Sequence, residues 1–355
     1  MSIHLLEHLK TLCATPGLSA YEAPIREAIR AAWQPLADDI RVDRFGNLWA
    51  TKKGAGRAPR FKAMIAAHMD TIGMMVTRVE AGFLRVTEVG GIDARVMPGQ
   101  PVLVHASNSI EPLPALVGTR PPHLLTAADR KKVIPLDELF VDPGLPAEEV
   151  ARLVQVGDVI SFGQPPVELQ GDRLAAPYLD NRASVAAVTV CLDALQGRTH
   201  EWDIVAVATT QEEETLGGAR TSAFEIQPHI AVALDVTWGA APGIPEHRAF
   251  ALGEGPTLGL GPNLHPKLHQ ELAAAAKRSD IPHHVEIIPR HSGTDAYAIQ
   301  VSRAGIPTGL IGIPLRNMHT PVESLSLKDV ERAGRLLAEF LAGLDAGFLE
   351  KLTLD

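Results

Sequence analysis

The pattern of apolar and polar positions divides the chain into stretches of different character. Ile3, Leu5, Leu6, Leu9 and Leu12 recur at helical spacing over residues 3–14, and Pro16-Gly17 stops them. A second helix is predicted over residues 23–33, followed by short strand-like runs at 40–43 and 47–51 that Phe45-Gly46 separates. Residues 61–67 form a compact apolar run ending at His68, the pattern of a buried strand. Between 72 and 164 the period shortens. Alternating runs at 74–79, 83–86, 102–105 and 159–162 lie among Gly and Pro clusters, which predicts a small β domain. After it, helices at 182–195, around Ala219, and at 265–276, 295–301 and 327–344 alternate with strands at 204–208, 230–234, 285–288 and 308–313. Such alternation predicts an α/β sheet with covering helices. The expected organisation is one α/β domain made of residues 1–71 and 165–355, with a β domain of residues 72–164 inserted between its halves.

Composition narrows the class. At 355 residues the chain can bury a large core and carry a second, smaller domain. With 46% hydrophobic and 21% charged residues it is expected to fold throughout. The 33 basic residues against 42 acidic ones give a net charge of −9, and no basic run exceeds Arg130-Lys131-Lys132, which argues against nucleic acid as a partner. Cys13 and Cys191 each fall inside an apolar helical pattern, as buried thiols of a reducing cytoplasm do, and support neither a disulfide framework nor a thiolate zinc site. No stretch approaches the ~20 apolar residues of a membrane span, and the first residues lack the apolar segment of a signal peptide.

Against this background a few side chains stand out, because each sits at the end of a predicted strand, where open α/β sheets place their ligands. They are His68 with Asp70 two residues on, Asp180 before a helix, Glu212, Glu213 and Glu214 after the strand at 204–208, Asp235 after 230–234, and His319 after 308–313. Singly, each has a plainer reading: a capped histidine, an N-cap aspartate, a solvated acidic turn. Residues two apart in a strand share a face, so Asp70 can accept a hydrogen bond from the His68 ring nitrogen that is not on a metal. Two carboxylates ~4 Å apart repel by ~4 kcal/mol at an effective dielectric of about 20, so convergence of these groups calls for cations. Histidines with carboxylates and no cysteine favour zinc, or cobalt or manganese, over calcium. Thr294 and Asp295 open a predicted helix and, with His291 just before them, are candidate substrate contacts.

Taken together, these segments resemble the tetrahedral (TET) aminopeptidases, a family of dinuclear zinc peptidases that includes glutamyl and deblocking aminopeptidases and cellulase-M-like proteins. The resemblance spans Pro16-Gly17-Leu18-Ser19, Asp43-Arg44-Phe45-Gly46-Asn47, His68-Met69-Asp70, Gly90-Gly91-Ile92-Asp93, Leu179-Asp180-Asn181-Arg182, Gln211-Glu212-Glu213, Asp235-Val236-Thr237, Gly293-Thr294-Asp295-Ala296 and His319-Thr320-Pro321-Val322-Glu323. It implies a mixed central sheet with helices on both faces, of zinc-exopeptidase type, and a PDZ-like, barrel-like insertion that helps assemble a hollow dodecamer. It also implies roles: Asp180 bridging two divalent metal ions, His68 and Asp235 completing one site, Glu213 and His319 the other, Glu212 as general base and Asp70 orienting His68. Thr215 and the stretch Trp238-Gly239-Ala240-Ala241-Pro242 depart from the family pattern, at positions that bear on substrate preference.

The expected activity is hydrolysis of N-terminal residues from peptides by a metal-bridged water, with Glu212 taking its proton and returning it to the leaving amine. Alternatives in the same chemistry are deacylation of N-acyl amino acids and carboxypeptidase action. More distant ones are glycoside hydrolysis by a carboxylate pair and a catalytically silent assembly protein.

Overall fold

The computed structural model describes residues 4–354, so Ile3, the first apolar position of the predicted N-terminal helix, lies outside the described residues. Helices α1 (Leu5–Ala14) and α2 (Ala23–Trp33) bury one stripe each, Leu9, Leu12 and Cys13 on the first and Ile25, Ile29 and Trp33 on the second. Strands β1 (Asp39–Val42), β2 (Leu48–Lys52) and β3 (Lys62–His68) follow. The next strands are β4 (Gly73–Glu80), β5 (Phe83–Val89), β6 (Pro101–His105), β7 (Leu113–Gly118) and β8 (Phe140–Asp142), then helix α3 (Ala147–Leu153) and β9 (Val159–Phe162). They close into an antiparallel barrel in the order β4-β5-β8-β7-β6-β9. The short runs β7 and β8 and helix α3 are absent from the sequence expectation. Pro114 interrupts the first, and the others are too short to show a period.

The remaining elements are β10 (Val167–Leu169), β11 (Arg173–Ala176), α4 (Leu179–Ala194), β12 (Asp203–Thr209), α5 (Glu212–Thr215), α6 (Gly217–Ile226), β13 (Ile230–Trp238), β14 (Thr257–Leu260), α7 (Pro266–Arg278), β15 (His284–Ile287), α8 (Asp295–Gln300), β16 (Thr308–Arg316), β17 (Glu323–Ser326) and α9 (Leu327–Ala342). With β1 to β3 they form an 11-stranded sheet in the order β1-β2-β12-β3-β13-β16-β17-β11-β10, to which β14 and β15 attach beside β16. Its centre is parallel: β12 and β13 flank β3, and β16 flanks β13. The outer strands are antiparallel, so the sheet is mixed, as the resemblance implies.

Alternation along β3 explains the layering. Ala63, Ile65 and Ala67 enter one apolar core with residues of α1, α2, α4, α7 and α9, while Met64 and Ala66 enter a second core with residues of α6 and α8. A strand that must satisfy both faces is apolar throughout, which is the pattern visible in its sequence. The chain divides into two compact units, one of Met1–Asp70, Pro166–Met318 and Glu323–Asp355, the other of Thr71–Pro165 and His319–Val322. Among the described residues no helix is long and apolar enough to cross a membrane.

Candidate metal centre

The parallel strands deliver their chemistry at their C-terminal ends. His68 is the last residue of β3 and pairs in register with Thr209, the last of β12. Asp235 lies within β13 opposite Gly312 of β16. Asp180 enters from the start of α4, where it and Asn181 are not helical (Asp180 φ −81, ψ 103), so it stands ahead of the regular helix that the sequence predicts from Arg182. The Asp180 amide donates to Glu323 Oε2 at 2.9 Å, which ties this segment to the start of β17.

These elements converge on one imidazole. His68 Nε2 lies 3.2 Å from Asp180 Oδ1, 3.7 Å from Glu212 Oε2 and 3.9 Å from Asp235 Oδ1, with the His68 side chain 1% exposed. The other ring nitrogen, Nδ1, donates to the Asp70 backbone carbonyl at 3.1 Å, with the Asp70 carboxylate also beside it at 3.5 Å. Nε2 therefore faces carboxylate oxygens, which it can meet as a protonated imidazolium or, through its lone pair, by sharing a cation with them. Burial alone would lower the His68 pKa, yet Glu212, Asp180, Asp70 and Asp235 raise it well above its usual value. Burial pushes the carboxyls of Glu212 and Asp235 well up, reinforced by the other acids and opposed by His68. One ligand atom each from His68, Asp180 and Asp235 lies within 4.8 Å of the others, a spacing that suits ligand bonds of about 2.0–2.2 Å to a shared first-row divalent ion.

Asp70 does something the strand argument does not anticipate. β3 ends at His68, so Asp70 has left the strand and its side chain turns toward β12. Its Oδ1 accepts from the amide of Glu212 at 2.9 Å, and its Oδ2 from the amide of Glu213 at 3.2 Å and from Ser19 Oγ at 2.5 Å. Burial raises the Asp70 pKa, but His68, Ser19 and the Glu212 amide outweigh it and the net shift is downward. Glu212 and Glu213 stand on the one-turn helix α5, half-buried. His319 sits in the crossover 317–322 between β16 and β17 and groups with residues 71–165, where its Nδ1 is 2.8 Å from the Gly91 carbonyl.

The candidate substrate contacts fare differently from one another. Thr294 caps α8, its Oγ1 accepting from the Ala296 amide at 3.3 Å. Asp295 is 2% exposed, and its Oδ2 accepts from Thr209 Oγ1 at 2.5 Å. Burial raises its pKa to about 6, against the opposing pull of His68 and Thr209. His291 is exposed, with its ring centroid 5.4 Å from that of Tyr297. Sequence reasoning assigned no role to Ser19, Glu22, Asn47 or Glu323, all buried and all hydrogen-bonded to the segments that carry Asp70, Asp180 or Glu212. The available signal was polar residues standing in short loops between apolar elements.

The chain is similar to several known proteins. A family model described as M42 glutamyl aminopeptidase matches residues 46–336. The lysyl aminopeptidase of Pyrococcus furiosus is 36% identical over 95% of this chain and 97% of its own. The crystal structure of a TET aminopeptidase from a marine sediment archaeon of the Thaumarchaeota superposes with a TM-score of 0.91 at 32% identity, covering 98% of this chain and 99% of that one. The TET1 peptidase of Pyrococcus horikoshii, described as assembling into a tetrahedron or a large octahedral shell, gives 0.84 at 31% identity over 96% and 100% of the two chains.

Proposed function

We propose, for a chain that belongs to the M42 glutamyl aminopeptidase family and is a metal-dependent aminopeptidase, that hydrolysis takes place at the carboxylate cluster around His68 with Glu212 as the general base. The observation that carries this reading is the approach of Asp180, Glu212 and Asp235 to one buried imidazole nitrogen whose partner nitrogen is already committed to a carbonyl. By the family resemblance, His68, Asp180 and Asp235 would hold one divalent ion, and Asp180, Glu213 and His319 the other. The second set is supported by the chain itself, since His319 precedes Glu323 by a few residues and Glu323 is bonded to the Asp180 amide. Imidazole and carboxylate donors without thiolate suit zinc, with cobalt or manganese as alternatives.

When bound, the ions polarise the scissile carbonyl and acidify the attacking water. The chain's own contribution is the proton path. Glu212 faces the cluster without needing to be a ligand, takes the water's proton and returns it to the leaving amine. Asp70 fixes the backbone of Glu212 and Glu213, so base and ligand keep their spacing. His291, Thr294 and Asp295 stay as the substrate contacts, Thr294 also capping α8 and Asp295 also accepting from Thr209. The substrates are peptides with a free N-terminus. We infer a homo-oligomer, a dodecamer, from the tetrahedral assembly described for the Pyrococcus horikoshii relative, and a cytoplasmic location, which two buried free cysteines suit.

The test is a panel of aminoacyl anilides and N-acyl amino acids, assayed with metal-free protein and after reloading with zinc, cobalt or manganese. Turnover of the free aminoacyl substrates only, and only after reloading, is expected. Cleavage that survives chelation, or preference for acylated amino acids, overturns the reading.

A further inference from the structure

The turn that carries Glu212 is held by side chains from distant parts of the chain. The amide of Thr210 donates to Asn47 Oδ1 at 2.9 Å, that of Gln211 to Glu22 Oε1 at 3.2 Å, and those of Glu212 and Glu213 to Asp70. Gln211 has φ 55 and ψ 36, the left-handed region, which a residue with a Cβ keeps only where its surroundings fix it. A left-handed residue followed by helical ones aims successive N–H groups into one concavity, a nest suited to anions. Here the anions are the carboxylates of Asp70 and Glu22.

Glu22 is the unexplained member. It directly precedes α2 but makes no side-chain cap to that helix. Its Oε1 instead bridges the amide of Ala20 at 2.7 Å, itself left-handed with φ 69, and the amide of Gln211, 189 positions away. The residue is 5% exposed, and the helix behind it is anchored by buried Ile25, Ile29 and Trp33. The fully buried Arg182 guanidinium feels the charges of both Asp70 and Glu22, which makes a pair of buried carboxylates tolerable there.

We propose that Glu22 is a positioning residue for the hydrolysis: by accepting the Gln211 N–H it locks the left-handed turn that aims Glu212 at the cluster. The inference rests on the reading of Glu212 as the base. Without that acceptor Gln211 relaxes toward the ordinary helical region and carries the Glu212 carboxylate out of line, and a displacement of 1 Å in such a group is worth about 100-fold in rate.

The experiment compares Glu22→Met and Glu22→Gln, which are close in size and differ in whether an oxygen can still accept. Glu22→Ala repeats the loss should the methionine variant fail to fold. Each protein is loaded with zinc and assayed for kcat and KM on an aminoacyl anilide. Amide hydrogen exchange is followed over residues 209–216 by mass spectrometry. Glu22→Met is expected to lower kcat by about 10- to 100-fold with KM within about threefold, and to speed exchange of that segment by about tenfold. Glu22→Gln is expected to stay within about threefold of the parent in both. A Glu22→Met protein with parental kcat and exchange overturns the proposal, and so does a Glu22→Gln protein as impaired as Glu22→Met. Glu212→Gln serves as the control. If it turns over normally the base assignment fails, while the exchange of the Glu22 variants still decides whether the turn is tethered.

Discussion

The two units of the chain bury very different things. Inside the barrel unit the packed residues are Met74, Val76, Leu84, Val86, Val102, Val104, Val117, Val141, Ile160 and their like, and the one carboxylate buried there among the described residues, Asp158, is saturated by Ser107 and by the amides of Ser107 and Gln155. The sheet unit buries Glu22, His68, Asp70, Asp180, Arg182, Asp235 and Asp295, several within reach of one another. A domain cannot gather like charges at low exposure for the sake of stability, because desolvation exceeds what imperfect pairing returns. The contrast teaches that the interior of the sheet unit gives up stability to gather charge, whereas the interior of the barrel is packed for shape. The barrel also leaves Ile110, Leu124, Val133 and Val156 exposed.

The sharpest way to break this contrast is to show that the buried charges are not used. Glu212→Gln is expected to lower kcat by about 10³- to 10⁴-fold with metal content measured by atomic emission unchanged. Loss of metal with activity would make Glu212 a ligand and merge the two roles proposed for it and Glu213. On the barrel side, Leu84 is fully buried opposite Val141, and Leu84→Ala is expected to cost about 3 kcal/mol in denaturant unfolding while kcat of the folded enzyme stays within about twofold. A kcat that fell with Leu84→Ala at unchanged stability would mean that the barrel takes part in the chemistry.

How far this contrast could be read from the sequence follows from its physics. The all-apolar run before His68 announces a strand with two covered faces, and acidic or imidazole residues at the ends of such runs announce a ligand site. The family pattern adds which acid is base and which is ligand. What could not be read depends on long loops closing. Glu22 meets Gln211 across 189 positions and Asn47 meets Thr210 across 163, and no local period encodes either contact. Asp70 carries more than the alternation argument offers: the ladder stops at His68, so its carbonyl accepts from the ring while its carboxylate, 3.5 Å from Nδ1, also accepts from the Glu212 turn. The barrel was legible as a domain but not strand by strand, since β8 has three residues and β7 holds a proline.

Acid should affect the sheet unit through a further group. His8 is pushed down to about 4 by burial. Thr189 Oγ1 donates to the Val185 carbonyl and accepts from Trp33 Nε1, so His8 Nε2, 3.0 Å away, must be the donor, which a neutral ring can be. Because the folded pKa lies below the unfolded value near 6.5, the unfolded chain binds more protons between those limits. Stability is then full above about 6.5 and falls as pH drops toward 4, by about 3 kcal/mol in all. Urea midpoints measured at pH 7, 6 and 5 should decline in the parent and decline less in His8→Gln. Equal slopes would remove His8 from the account of acid sensitivity.

The smallest effect is the most discriminating, because it uses one chemical pair in both units. Ser107 Oγ donates to Asp158 in the barrel, and Ser19 Oγ donates to Asp70 Oδ2 in the sheet unit. In each case alanine removes one hydrogen bond from a buried carboxylate that keeps two backbone amides, so each substitution should cost about 1 to 2 kcal/mol of stability. Only one of those carboxylates holds the turn of the base. Ser19→Ala should therefore lower kcat several-fold beyond its stability loss, about threefold to tenfold, while Ser107→Ala leaves kcat of the folded enzyme unchanged. Measured side by side under one set of conditions, equal kcat values for the two variants would mean that Asp70 is anchored well enough without Ser19, and that buried carboxylates in the two units differ in location but not in use.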